Sequence, residues 1–250
     1  MNLATKAVIF DWAWTLVDLV DEDDKRPFLK MFGFLRERGI NLPDFDDCYQ
    51  TYRELFYKMI AESRQTHREA CFESVLKFLL LYYRIDIAGK ATVAEILKIY
   101  YREVFSVRKV FPDVLQTLQG LQSADMRMGI ISNTTNPPFM KDYERVKMGL
   151  DSFFEFSIYS SDVPYRKPHP SIFELAVHYL QLEPREILFV GDSLAHDIAG
   201  AQNVGMQAAW INRKGKALPE GIHPDFEVRA LTDLLEISCI KMTGEFSDLP

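Results

Sequence analysis

The sequence predicts an α/β fold, a parallel sheet with helices between its strands, interrupted near its start by an inserted all-helical segment. Three observations carry this. From Val110 onward, short apolar runs rich in β-branched residues alternate with stretches of helical spacing. Between about 27 and 106 every periodic stretch is helical and none alternates like a strand. Ahead of both, the run Val8-Ile9-Phe10 is short and apolar like a buried strand, and it ends on Asp11.

In chain order, strand 8–10 is followed by an acidic run (Asp18, Asp21, Glu22, Asp23, Asp24) that reads as a solvated linker. Helical spacing then marks 27–38, 45–63, 67–83 and 92–105, with breaks at Gly39 to Pro43, Gln65-Thr66 and Ile87 to Gly89. In the second of these, Tyr49, Tyr52, Leu55, Phe56, Met59 and Ile60 form one apolar stripe, which reads as core packing rather than a ligand pocket. His67 reads as a helix-start residue. The second half gives helix 113–121, strand 126–131, helix 138–148, strand 156–159, helix 171–180, strand 187–190, helix 195–204, strand 208–211 and helix 231–237. Strands separated by helices of this length call for parallel pairing through right-handed crossovers. The domain boundaries follow: residues 1–18 and 108–250 form the α/β core, and 19–107 the helical insertion. The last residues, 243–250, read as a polar tail.

Composition narrows the function. With 36 acidic against 29 basic residues the net charge is −7, which excludes nucleic acid and anionic membrane surfaces as expected partners. A negatively charged substrate then needs local cations. Cys48, Cys71 and Cys239 are far apart and form no CxxC pair, so neither a disulfide framework nor a zinc site is expected. No apolar run approaches the ~18 residues of a membrane span, and 1–7 contains no signal-peptide core. The chain reads as a soluble cytoplasmic protein whose oligomeric state is open.

Four strand ends carry polar residues, and ligands of open α/β sheets bind beyond the carboxyl ends of strands. Asp11 and Asp192 offer carboxylates suited to Mg²⁺, which takes one or two of them together with water and substrate phosphate. Ser132 and Thr15 bring hydroxyls, Lys167 a point charge, and Asp197, five residues beyond Asp192, serves either the metal or Lys167. Cation, metal and hydroxyls together make a cradle for a phosphoryl group, and a carboxylate is a competent covalent nucleophile for it. Each residue has a plainer use: a strand-end aspartate caps a turn, a lysine stays solvated, and an acid in a first helical turn answers the helix dipole.

Taken together these stretches resemble the haloacid dehalogenase superfamily. Asp11-Trp12-Ala13-Trp14-Thr15 is similar to its first motif and Ile130-Ile131-Ser132-Asn133-Thr134 to its second. Arg166-Lys167-Pro168-His169-Pro170 is similar to the third, and the stretch from Val190 through Gly191-Asp192-Ser193 to Asp197 and Ala201 to the fourth. The resemblance covers 7–18 and about 110–212, and implies a Rossmann-like core with the helical insertion as a cap. It implies Asp11 as nucleophile and Mg²⁺ ligand, with the Ala13 backbone carbonyl and Asp192 as further ligands. Lys167, Ser132, Asn133 and Thr15 would then hold the phosphoryl group of a small phosphorylated metabolite, and Asp197 would stand in the outer shell.

One departure matters. Phosphatases of that superfamily carry a second aspartate two residues after the nucleophile, to protonate the leaving group and activate water; here it is Ala13. General acid–base catalysis contributes ~10²–10⁴-fold, so a plain alkyl phosphomonoesterase with this site is expected to be slow. The usual glycine is Trp14, whose ring must sit under the cap or face the substrate. An alanine at position 13 resembles the phosphonoacetaldehyde hydrolase branch, which uses a cap lysine as a Schiff base; Lys58 and Lys77, then Lys30, Lys90 and Lys98, are the candidates here. Three readings stand: a Mg²⁺-dependent phosphohydrolase, a phosphonatase-like C–P hydrolase, and a binding module that has lost turnover.

Overall fold

The structure, a computed structural model, describes residues 5–19 and 23–237. Its centre is a six-stranded parallel sheet in the order β5-β4-β1-β6-β7-β8. The strands are β1 (Ala7–Phe10), β4 (Arg127–Ser132), β5 (Phe156–Tyr159), β6 (Ile187–Gly191), β7 (Gln207–Ile211) and β8 (Phe226–Val228). A separate antiparallel ribbon pairs β2 (Val17–Asp18) with β3 (Lys109–Val110). That ribbon stands where the chain leaves the α/β part and where it returns.

β1 is buried along its whole length because helices cover both faces of the sheet. Its side chains alternate as a strand requires. Val8 and Phe10 pack with Val114, Leu118 and Leu121 of α5 (Val114–Ser123) and with Leu231 and Leu234. Ala7 and Ile9 pack with Ile172 and Phe173 of α7 (Pro170–Leu180) and Ala201 of α8 (Ala199–Asn203). β4 lies on one side of β1 and β6 on the other, so the chain order reverses at β1. The crevice of such a switch point opens beyond Phe10, where Asp11 begins.

Helices α1 (Lys25–Glu37), α2 (Phe45–Thr66), α3 (Phe72–Tyr82) and α4 (Val93–Phe105) pack around an apolar cluster of their own, in which Phe28 stacks on Tyr52, Tyr49 meets Phe28 at a tilt and Phe72 meets Tyr52 edge to face. Met140, from α6 (Pro138–Lys147), joins that cluster from the α/β side. α2 starts at the Asp44 cap, which accepts from the Asp46 and Asp47 amides, and α4 at a Thr92–Glu95 capping box.

Several expectations are corrected. The stretch 67–83 is not one helix: His67 ends α2 in the left-handed conformation (φ 56°), and 67–71 is a loop. The helix expected over 195–204 begins as a π-helical turn, Leu194–Ile198, before α8. The last segment is a 3₁₀ helix, Leu231–Glu236. Asp24 is not merely solvated, since it accepts hydrogen bonds from the Tyr49 and Tyr57 hydroxyls. Cys239 and the tail 243–250 lie outside the described residues, and Cys48 and Cys71 are free thiols. Among the described residues no helix is long and apolar enough to cross a membrane.

Phe28 is fully buried and stacks on Tyr52 at 5.0 Å between ring centroids. Phe28→Ala is expected to cost about 3–5 kcal/mol through lost burial and the cavity left behind. Urea unfolding checks this, and an unchanged midpoint contradicts the role given to the aromatic cluster.

Candidate active site

The site is built from the ends of β1, β4 and β6 and from the loop ahead of α7. Lys167 reaches into it and is almost wholly buried, its Nζ 2.7 Å from Asp11 Oδ1, 2.7 Å from Asp197 Oδ1 and 2.8 Å from the Ile131 carbonyl. Three acceptors thus use the three protons of the ammonium. The Lys167 backbone is fixed as well, donating to Asn133 Oδ1 (2.8 Å) while its carbonyl accepts from Asn133 Nδ2 (3.0 Å). Asn133, expected at the phosphoryl group, therefore spends its side-chain amide on positioning Lys167.

Asp197 lies in the π-helical turn, where its Oδ2 accepts from the Ser193 amide at 2.9 Å. π turns often mark functional sites, and here the wider turn carries the carboxylate that meets Lys167. Gly191 makes this approach possible, because a Cβ built on it falls 2.4 Å from Asp197 Cγ. Asp192 follows, its carbonyl held by the Trp210 indole N–H at 3.0 Å. Carboxylate oxygens of Asp11, Asp192 and Asp197 all lie within 4.8 Å of one another.

The charges do not balance. Three carboxylates face one lysine, and burial compounds the repulsion. Asp11 is raised to about 6, by burial first and by the Asp197 charge, with Lys167 pulling the other way. Asp192 is raised to about 7, by burial and then by Asp11 and Asp197. Burial alone would lower Lys167, but the two carboxylates overcome it and hold its pKa above the ordinary value. An all-oxygen donor set with surplus negative charge fits a hard divalent cation such as Mg²⁺.

Beside this cluster, between the sheet and the helices, is a cavity of about 630 Å³. Trp12, Ala13, Ser132 and Asn133 line its α/β side, and Tyr52, Phe56, Tyr57, Arg64, Tyr100 and Tyr101 its helical side. Asp11 and Lys167 are buried next to it. Loop 67–71 closes one edge: the Arg166 amide donates to the His67 carbonyl (2.8 Å), the Arg166 guanidinium pairs with Glu69 (3.2 Å), and the Ser160 hydroxyl bonds Glu69. His67 is thus part of a tether rather than a helix start.

Two expected neighbours stand elsewhere. Thr15 is fully buried but does not line the cavity; its carbonyl accepts from Arg213, which also grips Asp113. Trp14 neither sits under the helices nor faces the cavity. It takes the left-handed backbone (φ 62°) in which glycine is easiest, and its ring borders a separate hollow of about 160 Å³ with Asp192 and Lys214.

Sequence reasoning missed Lys141, Arg108 and Glu144. All three are buried or nearly so: Glu144 pairs with Lys141 and, at 2.8 Å, with Arg108, and both cations line the cavity. Lys141 and Glu144, three residues apart on α6, read in sequence as an ordinary surface pair.

Carboxylates and a lysine gathered at the switch point of a parallel sheet define a class, α/β enzymes that bind their substrate beyond the strand ends. The chain belongs to the haloacid dehalogenase-like hydrolase family, whose profile matches residues 44–211. It is 30% identical over 240 residues to a glyceraldehyde 3-phosphate phosphatase of Pyrococcus furiosus, covering 93% of this chain and 92% of that one. With a glyceraldehyde 3-phosphate phosphatase of Methanopyrus kandleri it shares 32% over 243 residues, 93% of this chain and 96% of the relative. The crystal structure of a HAD phosphatase from Thermococcus onnurineus has a TM-score of 0.62 to it at 28% identity, over 93% of this chain and 97% of that one.

Two outcomes follow from this geometry. Gly191→Ala drives a methyl into Asp197 and is expected to cost about 1–3 kcal/mol in thermal stability, as overpacking does; an unchanged melting temperature contradicts the contact. The raised carboxylates bind protons more tightly folded than unfolded, so without metal they favour the fold at low pH and cost stability as pH rises through about 4 to 7. The metal-free melting temperature is expected to fall over that window less steeply in Asp192→Asn than in the parent, and added Mg²⁺ to stabilise the parent more above pH ~7 than below pH ~5. Identical pH profiles for the two proteins contradict it.

Proposed function

We propose that this hydrolase is a Mg²⁺-dependent phosphatase of small phosphorylated metabolites that works through an aspartyl-phosphate on Asp11. The observation that carries the reading is the buried Lys167 held between Asp11 and Asp197, with Asp192 alongside. The phosphatase names of the relatives support it. Asp11 attacks phosphorus with a carboxylate oxygen, and water then hydrolyses the acyl-phosphate. Lys167 orients Asp11 and offsets charge on the transferring group, Asp197 and Asn133 keep Lys167 in place, and Ser132 offers its hydroxyl from the cavity wall. Asp11, the Ala13 carbonyl and Asp192 would hold Mg²⁺, which would supply further neutralisation of phosphoryl charge. In this reading the four helices are the cap over the site, and closure at Glu69 and Arg166 excludes water.

Nothing favours the C–P hydrolase alternative. It needs a lysine of the helical segment in the cavity, and among the described residues none lines it. Lys77 is exposed and paired with Glu73, which raises its pKa, the reverse of what a Schiff-base lysine needs. Lys90 bonds the Gly39 carbonyl.

The test is Mg²⁺-dependent phosphate release from acetyl phosphate, triose phosphates, other sugar phosphates and phosphonoacetaldehyde. Turnover of a phosphate ester or acyl phosphate is expected, with Asp11→Asn abolishing it while leaving the fold intact. Equal turnover by Asp11→Asn, or release from phosphonoacetaldehyde alone, contradicts the reading.

A further inference from the structure

The site has a nucleophile but, at Ala13, no carboxyl group to move the proton that an alkyl leaving group needs. The wall of the same cavity holds a buried cation that the steps above do not use. Lys141 is 2% exposed, lines the cavity together with Ala13, and places its Nζ 4.7 Å from the ring centroid of Trp12, the residue between Asp11 and Ala13. Its carboxylate partner, Glu144, is shared with Arg108, which stands just ahead of β3. One buried carboxylate therefore pairs with both cations, and Lys141 stands in the cavity wall. Burying a charge is costly unless it is matched, so a structural anchor for α6 would be better served by an apolar contact.

We propose that Lys141 is the general acid and base of the reaction, doing the work of the carboxyl group that Ala13 lacks. This rests on the phosphatase reading. In the first half, a bond forms between Asp11 oxygen and phosphorus, the bond from phosphorus to the leaving oxygen breaks, and one proton passes from Lys141 Nζ to that oxygen. In the second half, water oxygen bonds to phosphorus, the bond to Asp11 breaks, and the neutral amine takes a proton from the water, which restores the ammonium. The groups around Lys141 suit this exchange. Burial lowers its pKa, Arg108 pushes the same way, and Glu144 and Asp11 keep the proton from being lost altogether.

The experiment compares acetyl phosphate, whose leaving carboxylate needs no proton, with an alkyl phosphate, whose alkoxide does. Lys141→Arg keeps the charge but cannot give up a proton, because a guanidinium stays charged at any working pH. It is expected to lower kcat/KM on the alkyl phosphate by ~10²-fold or more, and by at least about tenfold more than on acetyl phosphate. Ala13→Asp added to Lys141→Arg is expected to recover about tenfold or more on the alkyl phosphate, which also shows that the variant folds. Equal losses on both substrates, or no recovery by Ala13→Asp, overturn the proposal and leave Lys141 as charge and packing alone. If the parent enzyme turns over neither substrate, the phosphatase reading itself falls.

Discussion

The structure depends on one buried ammonium. Lys167 comes from a loop remote in sequence from Asp11 and Asp197, yet meets both at 2.7 Å with almost no exposure. Such an ion is tolerable only if every proton has an acceptor and every neighbour is held still. The fold meets that condition piece by piece. β4 ends so that the Ile131 carbonyl is free to accept, Asn133 clamps the lysine backbone from both sides, and Gly191 leaves the space that the Asp197 carboxyl fills. The remaining imbalance, three carboxylates to one lysine, is what a divalent cation would relieve.

A second set of contacts carries this order outward to the helices. The turn after Asp11 folds back so that the Trp14 amide bonds the Val17 carbonyl at 2.7 Å, and the β2–β3 ribbon then leads into and out of the helical segment. Arg213 braces that turn by spanning Asp113 and the Thr15 carbonyl. On the opposite edge, Glu69 is held by Arg166, next in sequence to Lys167. The contact that ties loop 67–71 to Arg166 and the placement of the lysine are thus adjacent in the chain. The cavity between has Trp12, Ala13, Ser132 and Asn133 toward the sheet, and toward the helices both aromatic rings and the charged Asp24, Arg64 and Glu69, a mixed lining that suits a small polar molecule.

Much of this was legible in the chain because it is local. Parallel strands buried on both faces read as short apolar runs, and the polar residues that end them fall at the crevice by topology alone. Asp11, Ser132 and Asp192 stand out that way, whereas Lys167 and Asp197 stand out through the motif stretches that carry them. What was missed depends on burial or on backbone detail that a pattern does not carry. Lys141 and Glu144 have the spacing of a surface ion pair, and only the packing of α6 against Trp12 and Arg108 shows that they are interior. Asn133 follows Ser132 and looked like a ligand, whereas its amide matches the lysine backbone in both directions. By its size the Trp14 ring is expected under the helices or facing the substrate, but a left-handed backbone turns it toward a different hollow. The strands of the ribbon are two residues each, too short for periodicity to register.

The central claim is that Asp11 becomes phosphorylated during turnover. Rapid acid quench of the Mg²⁺-loaded enzyme mixed with acetyl phosphate, followed by peptide mass analysis, tests it most directly. The account predicts one added phosphoryl group on the peptide that contains Asp11, labile at alkaline pH as an acyl-phosphate is and absent in Asp11→Asn. Turnover that proceeds with no phosphoryl adduct at any quench time, or with the adduct on another residue, would contradict it.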